Sequence, residues 1–322
     1  MTQRSSRRRK RGNPYRELLH LLNQRYHREW VRAELLENEL AGLRQSRLWR
    51  AIAWLRRAAR WLKPARPVPT PALAERAVPY VPLTERSQRP ARVSIVIPFK
   101  DRLELLRNCL RSLGRSTYRR FEVVLVNNGS TQPRTHRFLA RIATRPRVRV
   151  VDAPGEFNFS RLCNAGAARA DGDHLLFLNN DTELLARDGL EHLLRIVADP
   201  KVGVAGATLL YPDRTIQHAG IFPRTDGLWV HPYRGQPAEG DGELRIARCV
   251  PAVTAACLLI RRELLQQIGG FDERLPLTYN DVALCTRVRE RGLLVVISPH
   301  ARLIHYEGLS RGYTVDIPEP SR

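Results

Sequence analysis

The strongest chemical signal in the sequence is a carboxylate that directly follows an apolar run. Leu175–Leu178 contains no polar side chain, and Asn179, Asn180 and Asp181 come immediately after it. Burying a carboxylate beside such a segment is costly unless it is paired or bound to a metal ion. Carboxylate oxygens suit hard divalent cations, which are often shared with substrate phosphates. We therefore predict that Asp181 binds a metal ion beside a diphosphate-bearing ligand.

Two titratable residues near the C-terminus have more than one interpretation. Asp281 lies in the first turn of a predicted helix, where the helix dipole favours a carboxylate. It could equally act as a general base that takes a proton from an attacking hydroxyl, and its spacing does not decide between the two. His305 follows the last predicted strand, where a histidine is either structural or a metal ligand through a ring nitrogen.

Polar turns follow the first two predicted strands. They read Pro98-Phe99-Lys100-Asp101 and Asn127-Asn128-Gly129-Ser130. Asparagine and aspartate side chains match the donors and acceptors on a pyrimidine edge, and Gly129 permits a left-handed turn. One such turn is ordinary, but two at consecutive strand ends predict a site for the base and ribose of a nucleotide.

A further polar segment, Asn164-Ala-Gly166, lies inside a predicted helix. Its small residues would let the helix pack closely on a sheet, and the same residues could contact a ligand. The spacing leaves both interpretations open.

These residues require an α/β fold that brings several strand ends together. Apolar strands alternate with helices from residue 91 onward, which indicates a parallel, doubly wound sheet that binds ligands at the carboxyl ends of its strands. Asp101 is expected to cap the first helix. The predicted strands are 93–97, 121–126, 148–151 and 174–178, with helices starting at 102 and spanning 134–143 and 160–170. The less regular second half has helices at 187–198 and 279–291, apolar runs at 202–211 and 249–260, and strands at 293–297 and 302–306.

The charge of the chain is strongly basic and unevenly distributed. The 322 residues carry a net charge of +22, and residues 1–92 hold 22 Lys/Arg against 7 Asp/Glu. Five scattered cysteines have neither a paired nor a zinc-binding spacing, which indicates reduced thiols and excludes a disulfide framework. No apolar run approaches the ~18 residues of a membrane-spanning helix, and the start lacks a signal-peptide core. We therefore expect a cytoplasmic protein.

Three regions follow from these patterns: a basic helical extension (1–62), a linker with seven prolines (63–90) and a folded domain (91–322). Tyr15–Gln45 has a helical periodicity that fits either a short coiled coil or a helix packed on the domain. Leu48–Leu62 interleaves three tryptophans with arginines, which is typical of a helix lying in a membrane surface. Docking on its own domain and nucleic-acid binding remain alternatives for this segment.

A series of short motifs recurs along the chain in a recognisable order. The motifs are Val93-Ser-Ile-Val-Ile-Pro98, Lys100-Asp-Arg102, Asn128-Gly-Ser130, Asn164-Ala-Gly166, Leu178-Asn-Asn-Asp-Thr-Glu183, Gln217-His-Ala-Gly220, Gly269-Gly-Phe-Asp272 and Asn280-Asp281. Together they resemble family 2 glycosyltransferases, in particular the rhamnosyltransferase-like members that build bacterial surface polysaccharides such as O-antigen. The resemblance covers about residues 91–312.

The resemblance implies a GT-A fold, with a Rossmann-like, mixed and mostly parallel sheet flanked by helices and preceded here by the N-terminal helical extension. It implies a nucleotide-sugar-binding half (91–183), an acceptor-binding and catalytic half (184–322), and a Mg²⁺ or Mn²⁺ cofactor. The metal-binding residues would be Asp181, Asn179 and His305, and Asp281 would be the catalytic base. The donor-binding residues would be Pro98, Phe99, Asp101, Asn127, Asn128, Gly129, Asn164, Gly166 and Asn180, and the acceptor side would include His218, Trp229, His231, Thr254 and Asn280.

Some positions depart from the pattern that the family usually shows. Asn127 stands where an aspartate usually reads the base, and Asn179 replaces the first aspartate of the metal motif. Ala283 stands where a second aspartate commonly follows the base, and Tyr306 replaces a second histidine. None of these departures removes the expected base.

The implied function is an inverting hexosyltransferase. It would move a sugar, such as rhamnose, from a UDP- or dTDP-linked donor to a hydroxyl of a lipid-linked or polysaccharide acceptor, at the inner face of the cytoplasmic membrane. One alternative is a non-catalytic scaffold with the same fold, which a complete donor site would argue against. A nucleic-acid-binding protein is the other; we expect no nucleic-acid partner, because the basic excess lies mostly in the N-terminal extension rather than in a groove.

Overall fold

One eleven-stranded sheet runs through the part of the chain that the computed structural model describes, residues 73–80, 91–238 and 242–306. The strand order is β1-β11-β13-β7-β12-β5-β2-β3-β4, with β6 beside β13 and β8 beside β7. The first eight strands are β1 (Val78–Pro79), β2 (Val93–Phe99), β3 (Phe121–Asn127), β4 (Val148–Asp152), β5 (His174–Leu178), β6 (Thr182–Leu184), β7 (Val202–Leu210) and β8 (Ile216–His218). A separate hairpin follows, formed by β9 (Phe222–Pro223) and β10 (Trp229–Val230). The sheet is completed by β11 (Arg248–Cys249), β12 (Cys257–Arg261) and β13 (Leu294–His305).

Six α-helices accompany the strands in the described residues. They are α1 (Leu103–Gly114), α2 (Pro133–Ile142), α3 (Phe159–Ala167), α4 (Gly189–Val197), α5 (Arg262–Gln267) and α6 (Asn280–Arg289). Local chemistry sets two of their starts. Pro133 opens α2, where its missing N–H costs nothing. The side chain of Asn158 caps α3 by accepting a hydrogen bond from the Arg161 N–H at 2.9 Å. No helix in these residues is long and apolar enough to cross a membrane.

The half of the sheet formed by β4, β3, β2 and β5 is entirely parallel. Every residue of β2 is buried, as expected for a strand covered by helices on both faces. The predicted doubly wound sheet is therefore confirmed, and the carboxyl ends of these strands share one edge. Helix α3 lies so close to the sheet that a Cβ added at Gly166 would stand 2.3 Å from Val96 Cγ1.

The other half of the sheet is mixed. Strand β12 runs antiparallel to both β5 and β7, whereas β13 runs parallel to β7. The two strands predicted at 293–297 and 302–306 are one strand, β13, whose register shifts between Ser298 and Arg302. The Ser298 hydroxyl accepts the N–H groups of His300 and Ala301 at 3.3 and 3.2 Å, so the irregular stretch keeps its backbone hydrogen bonds.

The prediction that Asp101 caps the first helix is wrong. The residue at the cap position of α1 is Arg102, in a left-handed conformation and without a side-chain hydrogen bond. The Asp101 carboxylate instead accepts the N–H groups of Thr131 and Gln132, just before α2, at 3.1 and 3.0 Å. These contacts outweigh the opposing effect of burial and lower the pKa of Asp101.

Residues 73–80, which fall within the range predicted as a linker, lie on the folded domain. Strand β1 pairs with β11, and Glu75 forms an ion pair with Arg289 at 2.7 Å. The buried Tyr80 hydroxyl donates to Asp199 Oδ2 at 3.0 Å. The predicted extension (1–62), including the helix at 48–62, and the rest of the linker lie outside the described residues.

Candidate functional site

Three of the predicted metal-binding residues meet at the carboxyl edge of the sheet. Asn179 and Asp181 follow β5, and His305 ends β13. The pairing of β13 with β6 sets His305 opposite Thr182, beside Asp181. His305 Nε2 lies 3.2 Å from Asp181 Oδ1 and 3.2 Å from Asn179 Nδ2. The structure therefore brings together residues that are distant in the sequence.

Gln217 on β8 sets the orientation and tautomer of the His305 ring. His305 Nδ1 lies 2.6 Å from Gln217 Oε1, and Gln217 Nε2 donates to the His305 carbonyl at 3.3 Å. An amide oxygen only accepts, so Nδ1 carries a proton; Nε2 is an acceptor in the neutral ring and a donor to the Asp181 carboxylate in the protonated ring. Histidines that bind metals are commonly held this way through their other nitrogen.

Gln217 is a site residue that the sequence analysis missed. It lies in the quoted Gln217-His-Ala-Gly220 motif, and all three residues of β8 are buried. Two adjacent polar side chains in a short buried strand are themselves a signal, because each needs a partner inside the protein.

The donor atoms at this edge fit a divalent cation that is shared with a substrate. Within residues 73–80, 91–238 and 242–306, no three His, Cys, Asp or Glu side chains converge on one point. One carboxylate, one imidazole lone pair and an amide leave several coordination positions open. Magnesium and similar ions are typically held by few protein groups and completed by substrate phosphates and water. The residues present therefore fit the predicted ion, and their role as ligands stays a prediction.

The predicted base, Asp281, lies in the first turn of α6. Its Oδ1 accepts the Val282 N–H at 2.8 Å, and its Oδ2 accepts the Ala255 N–H at 3.3 Å. Burial raises the pKa of this carboxyl, although hydrogen bonds from Val282, Ala255 and Thr254 oppose the rise. Both interpretations of Asp281 are compatible with this geometry: it occupies the N-terminal turn of a helix, and its pKa is shifted in the direction that strengthens a base.

The backbone just before the base is strained. Tyr279 is buried and adopts φ 60° at the cap position of α6. A bulky residue in the left-handed region costs on the order of 1–3 kcal/mol and persists only where its surroundings enforce it. Such strain is concentrated at functional sites, which agrees with the role predicted for the residues that follow.

A pair of histidines connects the base to the predicted acceptor side. The Thr254 N–H donates to His218 Nε2 at 3.3 Å, so the Nδ1–H of His218 donates to His231 Nδ1 at 3.0 Å. Burial, followed by the charges of His231, His305 and Arg248, holds the pKa of His218 well below its usual value. His218 is fully buried behind His231, which is partly exposed near the hairpin that carries Trp229.

Two buried amides have donors that nothing in the described residues satisfies. Asn180 and Asn280 are buried, and Nδ2 of each has no hydrogen-bond partner there. A buried donor without a partner costs about 1–3 kcal/mol. Because Asn180 adjoins Asp181 and Asn280 adjoins Asp281, both positions suit contact with oxygen atoms of a ligand.

The two polar turns at the predicted nucleotide site contact each other. Phe99 pairs with Asn127 in the parallel register of β2 and β3, and the Asp101 N–H donates to Ser130 Oγ at 2.8 Å. Asn127 is oriented by its own contacts, donating to Asp152 Oδ1 at 2.8 Å and accepting the Ser130 N–H at 2.9 Å. A surface cavity of about 440 Å³ opens beside them, lined in part by Asn127, Gly129, Ser130, Asp152 and Pro154.

Asn164 makes contacts of a structural kind. Its Nδ2 donates to the Phe271 carbonyl at 3.0 Å and to Glu273 Oε1 at 2.9 Å, and its Oδ1 accepts the Phe271 N–H at 2.8 Å. With Gly166 packed on the sheet, these contacts favour the packing interpretation of the segment. A donor-binding role for either residue, as for Pro98, Phe99 and Asn128 at the same edge, stays a prediction.

Comparison with known proteins identifies relatives along most of the domain. Residues 94–269 match the family described as Glycosyl transferase family 2. The chain is 40% identical over 240 residues to the O-antigen biosynthesis protein RfbC of Myxococcus xanthus, covering 71% of this chain and 19% of that protein. It is equally identical over 233 residues to the uncharacterized protein y4gI of Sinorhizobium fredii, covering 70% and 26%. The chain thus spans about a quarter or less of the length of these two relatives.

A more distant relative has a more specific name. The N-acetylglucosaminyl-diphospho-decaprenol L-rhamnosyltransferase of Mycobacterium tuberculosis is 27% identical over 237 residues, covering 64% of this chain and 73% of that protein.

Solved structures agree on the fold. GalNAc-T7, with UDP, GalNAc and Mn²⁺, has a TM-score of 0.57 at 18% identity, covering 68% of this chain and 44% of that one. The mannosyltransferase PcManGT of Pyrobaculum calidifontis, with GDP-Man and Mn²⁺, has a TM-score of 0.50 at 20% identity, covering 81% and 66%. The predicted GT-A fold is confirmed by these neighbours and by the sheet order. With more than half of its length matched to the family, the chain belongs to glycosyl transferase family 2.

Proposed function

We propose that this glycosyltransferase is an inverting enzyme that adds a sugar to a growing cell-surface glycan. The donor is a UDP- or dTDP-sugar, with rhamnose the first sugar to test, and the acceptor is a lipid-linked or polysaccharide hydroxyl. The names of the Myxococcus and Mycobacterium relatives support this substrate class. The observation that carries the proposal is the placement of His305 Nε2 3.2 Å from Asp181 Oδ1 at the carboxyl edge of the sheet.

Asp181, Asn179 and His305 hold the ion at that edge, and Gln217 keeps the Nε2 lone pair of His305 available. A bound Mg²⁺ or Mn²⁺ supplies positive charge that stabilises the departing diphosphate. The polar turns at 98–101 and 127–130 receive the base and ribose. The buried amide of Asn180, beside Asp181, donates to an oxygen of the donor.

Asp281 acts on the acceptor. Its carboxylate takes the proton from the acceptor hydroxyl as that oxygen attacks the anomeric carbon from the face opposite the diphosphate. The new bond forms as the bond to the diphosphate breaks, so the configuration at the carbon inverts and the proton remains on Asp281. Asn280, Thr254 and the His218–His231 pair orient the acceptor around the base, with Trp229 on the adjoining hairpin.

Location at the inner face of the cytoplasmic membrane, through the tryptophan- and arginine-rich segment 48–62, is part of the same proposal. A lipid-linked acceptor would be presented at that surface. Deleting residues 1–62 is expected to lower the fraction of the protein that sediments with the membrane after cell lysis. A membrane-bound fraction equal to that of the full chain would refute this role for the segment.

Calorimetric titration of the full chain tests the donor site. UDP, dTDP and GDP are each titrated with and without Mn²⁺, and we expect one nucleotide to bind tightly only when the metal is present. Failure of a folded protein to bind any of them would overturn the proposal and favour a scaffold. Turnover of the matching nucleotide sugar, followed by NMR of the anomeric configuration, then tests inversion.

A further inference from the structure

The folded domain carries its positive charge on one side. Residues 100–149, which comprise α1, α2 and the loops that follow them, hold 13 Lys/Arg against 3 Asp/Glu. Residues 150–322 hold 19 against 22. We refer to the exposed surface of residues 100–149 as the basic face. The excess charge of the domain therefore comes from one contiguous part of the fold.

The two helices of the basic face lie on the same side of the sheet. Strands β2, β3 and β4 are consecutive and parallel, and right-handed crossovers place α1 and α2 on one face. The helices also touch directly. The guanidinium groups of Arg107 on α1 and Arg141 on α2 lie 5.5 and 6.0 Å from the ring of Phe138. Helix α2 itself contains no acidic residue.

Acidic residues neutralise only a small part of this surface. At the opposite edge of the sheet, Arg149 pairs with the buried Glu122 at 3.5 Å and with Asp171 at 2.6 Å. The Asp101 carboxylate accepts backbone N–H groups. Glu104 pairs with Arg107 at 3.1 Å. Within the described residues, no ion pair is formed by the other exposed arginines of the two helices and of the residues next to them, namely Arg102, Arg111, Arg115, Arg134, Arg137, Arg141 and Arg145.

We propose that the basic face binds the surface of a membrane rich in anionic phospholipids. Cationic side chains next to an anionic bilayer contribute additively to binding, and the contribution is screened by salt. A single-stranded RNA partner would need exposed aromatic rings for stacking, and Phe138 is already covered by two guanidinium groups. The choice of a lipid surface over other polyanions rests on the proposed function, because a lipid-linked acceptor places the reaction at a bilayer.

The position of the basic face suits this role. Helices α1 and α2 begin directly after the polar turns that end β2 and β3, so their first turns adjoin the edge that carries the candidate site, whereas Arg111, Arg141 and Arg145 lie at the other ends of the helices. Contact along both helices would lay this side of the domain on the lipid surface, with the candidate site at its border. The contact uses the folded domain and is separate from any contribution of segment 48–62.

Two matched triple variants of the full chain test the proposal. Arg111→Gln, Arg137→Gln and Arg145→Gln remove three exposed charges from the basic face. Arg169→Gln, Arg195→Gln and Arg291→Gln remove three exposed charges elsewhere on the domain. Binding to phosphatidylglycerol-containing vesicles is measured by sedimentation at several salt concentrations, with phosphatidylcholine vesicles as the neutral control. Circular dichroism melting verifies that both variants fold.

The face variant is expected to bind anionic vesicles roughly 10- to 100-fold more weakly than wild type, and the control variant within about threefold of it. Equal losses in the two variants, or no loss in either, would overturn the proposal. Preferential binding of wild type to a single-stranded RNA, lost in the face variant, would overturn it in favour of a nucleic-acid surface. None of these measurements uses a donor or acceptor, so their failure leaves the proposed transferase activity standing, and the nucleotide titration tests that activity separately.

Discussion

Two buried carboxylates lie at opposite edges of the sheet, Glu122 at the amino edge of the parallel strands and Asp181 at the carboxyl edge. Glu122 accepts hydrogen bonds from Ser94 Oγ at 2.5 Å, the Asp171 N–H at 2.8 Å and Arg92 at 3.1 Å, and Arg149 lies 3.5 Å away. Its oxygens are thus fully used by the protein, which indicates a structural role.

The buried carboxylate at the carboxyl edge, Asp181, has different surroundings from those of Glu122. Asp181 lies 3.2 Å from Nε2 of His305, whose ring Gln217 orients through Nδ1. The buried amides of Asn180 and Asn280 have donors that nothing in the described residues satisfies. Tyr279 is held in a strained conformation beside Asp281. Burial alone therefore does not identify a functional carboxylate. Protein donors use the oxygens of Glu122, whereas Asp181 and Asp281 adjoin buried amides whose Nδ2 has no partner in the described residues.

The largest expected effect comes from removing the base at the carboxyl edge. Asp281→Asn keeps the size of the side chain, but an asparagine cannot take a proton from the hydroxyl of the acceptor. The turnover rate should therefore fall by a factor of ~10²–10⁴. Nucleotide affinity should remain, since the residue acts on the acceptor. Steady-state kinetics and calorimetry measure the two quantities. A variant with near wild-type turnover would remove Asp281 from this role.

The pH dependence of the wild-type enzyme adds a check on the same residue. Asp281 must be ionised to act as a base, so activity is present above its pKa and is lost as the pH falls through it. Because burial raises this pKa, the acidic limb of the rate profile should lie above the ordinary carboxyl value of about 4. An acidic limb at or below that value would contradict the assignment.

The next largest effect should come from Asp181→Ala, which removes the carboxylate from the predicted ion site. Nucleotide affinity in the presence of Mn²⁺ should fall by about 100-fold, and affinity without metal should change little. Calorimetric titration with and without Mn²⁺ measures the difference. If Mn²⁺ strengthens nucleotide binding in the variant as much as in wild type, Asp181 is not a ligand.

Glu122→Gln at the amino edge is the matched contrast. Replacing an oxygen by an amide nitrogen next to Arg92 loses a charged hydrogen bond, so the free energy of unfolding should decrease by about 2 kcal/mol. Metal-dependent nucleotide affinity should not change. Urea denaturation gives the stability, and the same calorimetry gives the affinity. A loss of nucleotide binding in a folded Glu122→Gln protein would show that Glu122 is not purely structural.

The smallest effect should come from Gln217→Leu, which keeps His305 but removes the group that fixes its tautomer. Mn²⁺ affinity should weaken by roughly tenfold, since residues that orient a metal-binding histidine typically contribute 10–100-fold. Electron paramagnetic resonance of free Mn²⁺ measures this directly. Gln217→Glu can still accept the Nδ1 proton and should retain more of the affinity than leucine. Equal Mn²⁺ binding by wild type and the leucine variant would limit Gln217 to a packing role.

The parallel half of the fold was predictable because its information is local. The predicted strands at 93–97, 121–126, 148–151 and 174–178 each match an observed strand to within two residues. Continuous apolar runs between polar turns are typical of strands buried on both faces. The prediction that Asp101 caps the first helix was wrong, because its carboxylate accepts hydrogen bonds from backbone groups of the neighbouring turn, some thirty residues further along the chain.

The family, the alternating elements and the residues that end each strand could all be read from local patterns, because periodicity, turn residues and motif order are properties of short segments. Which of those residues meet depends on long-range strand pairing and packing. The pairing of β13 with β6 brings His305 to Asp181, β8 brings Gln217 to His305, and packing supplies the strain at Tyr279. The physical reason is that strand partners are chosen by long-range packing and hydrogen bonding, which a local pattern does not specify.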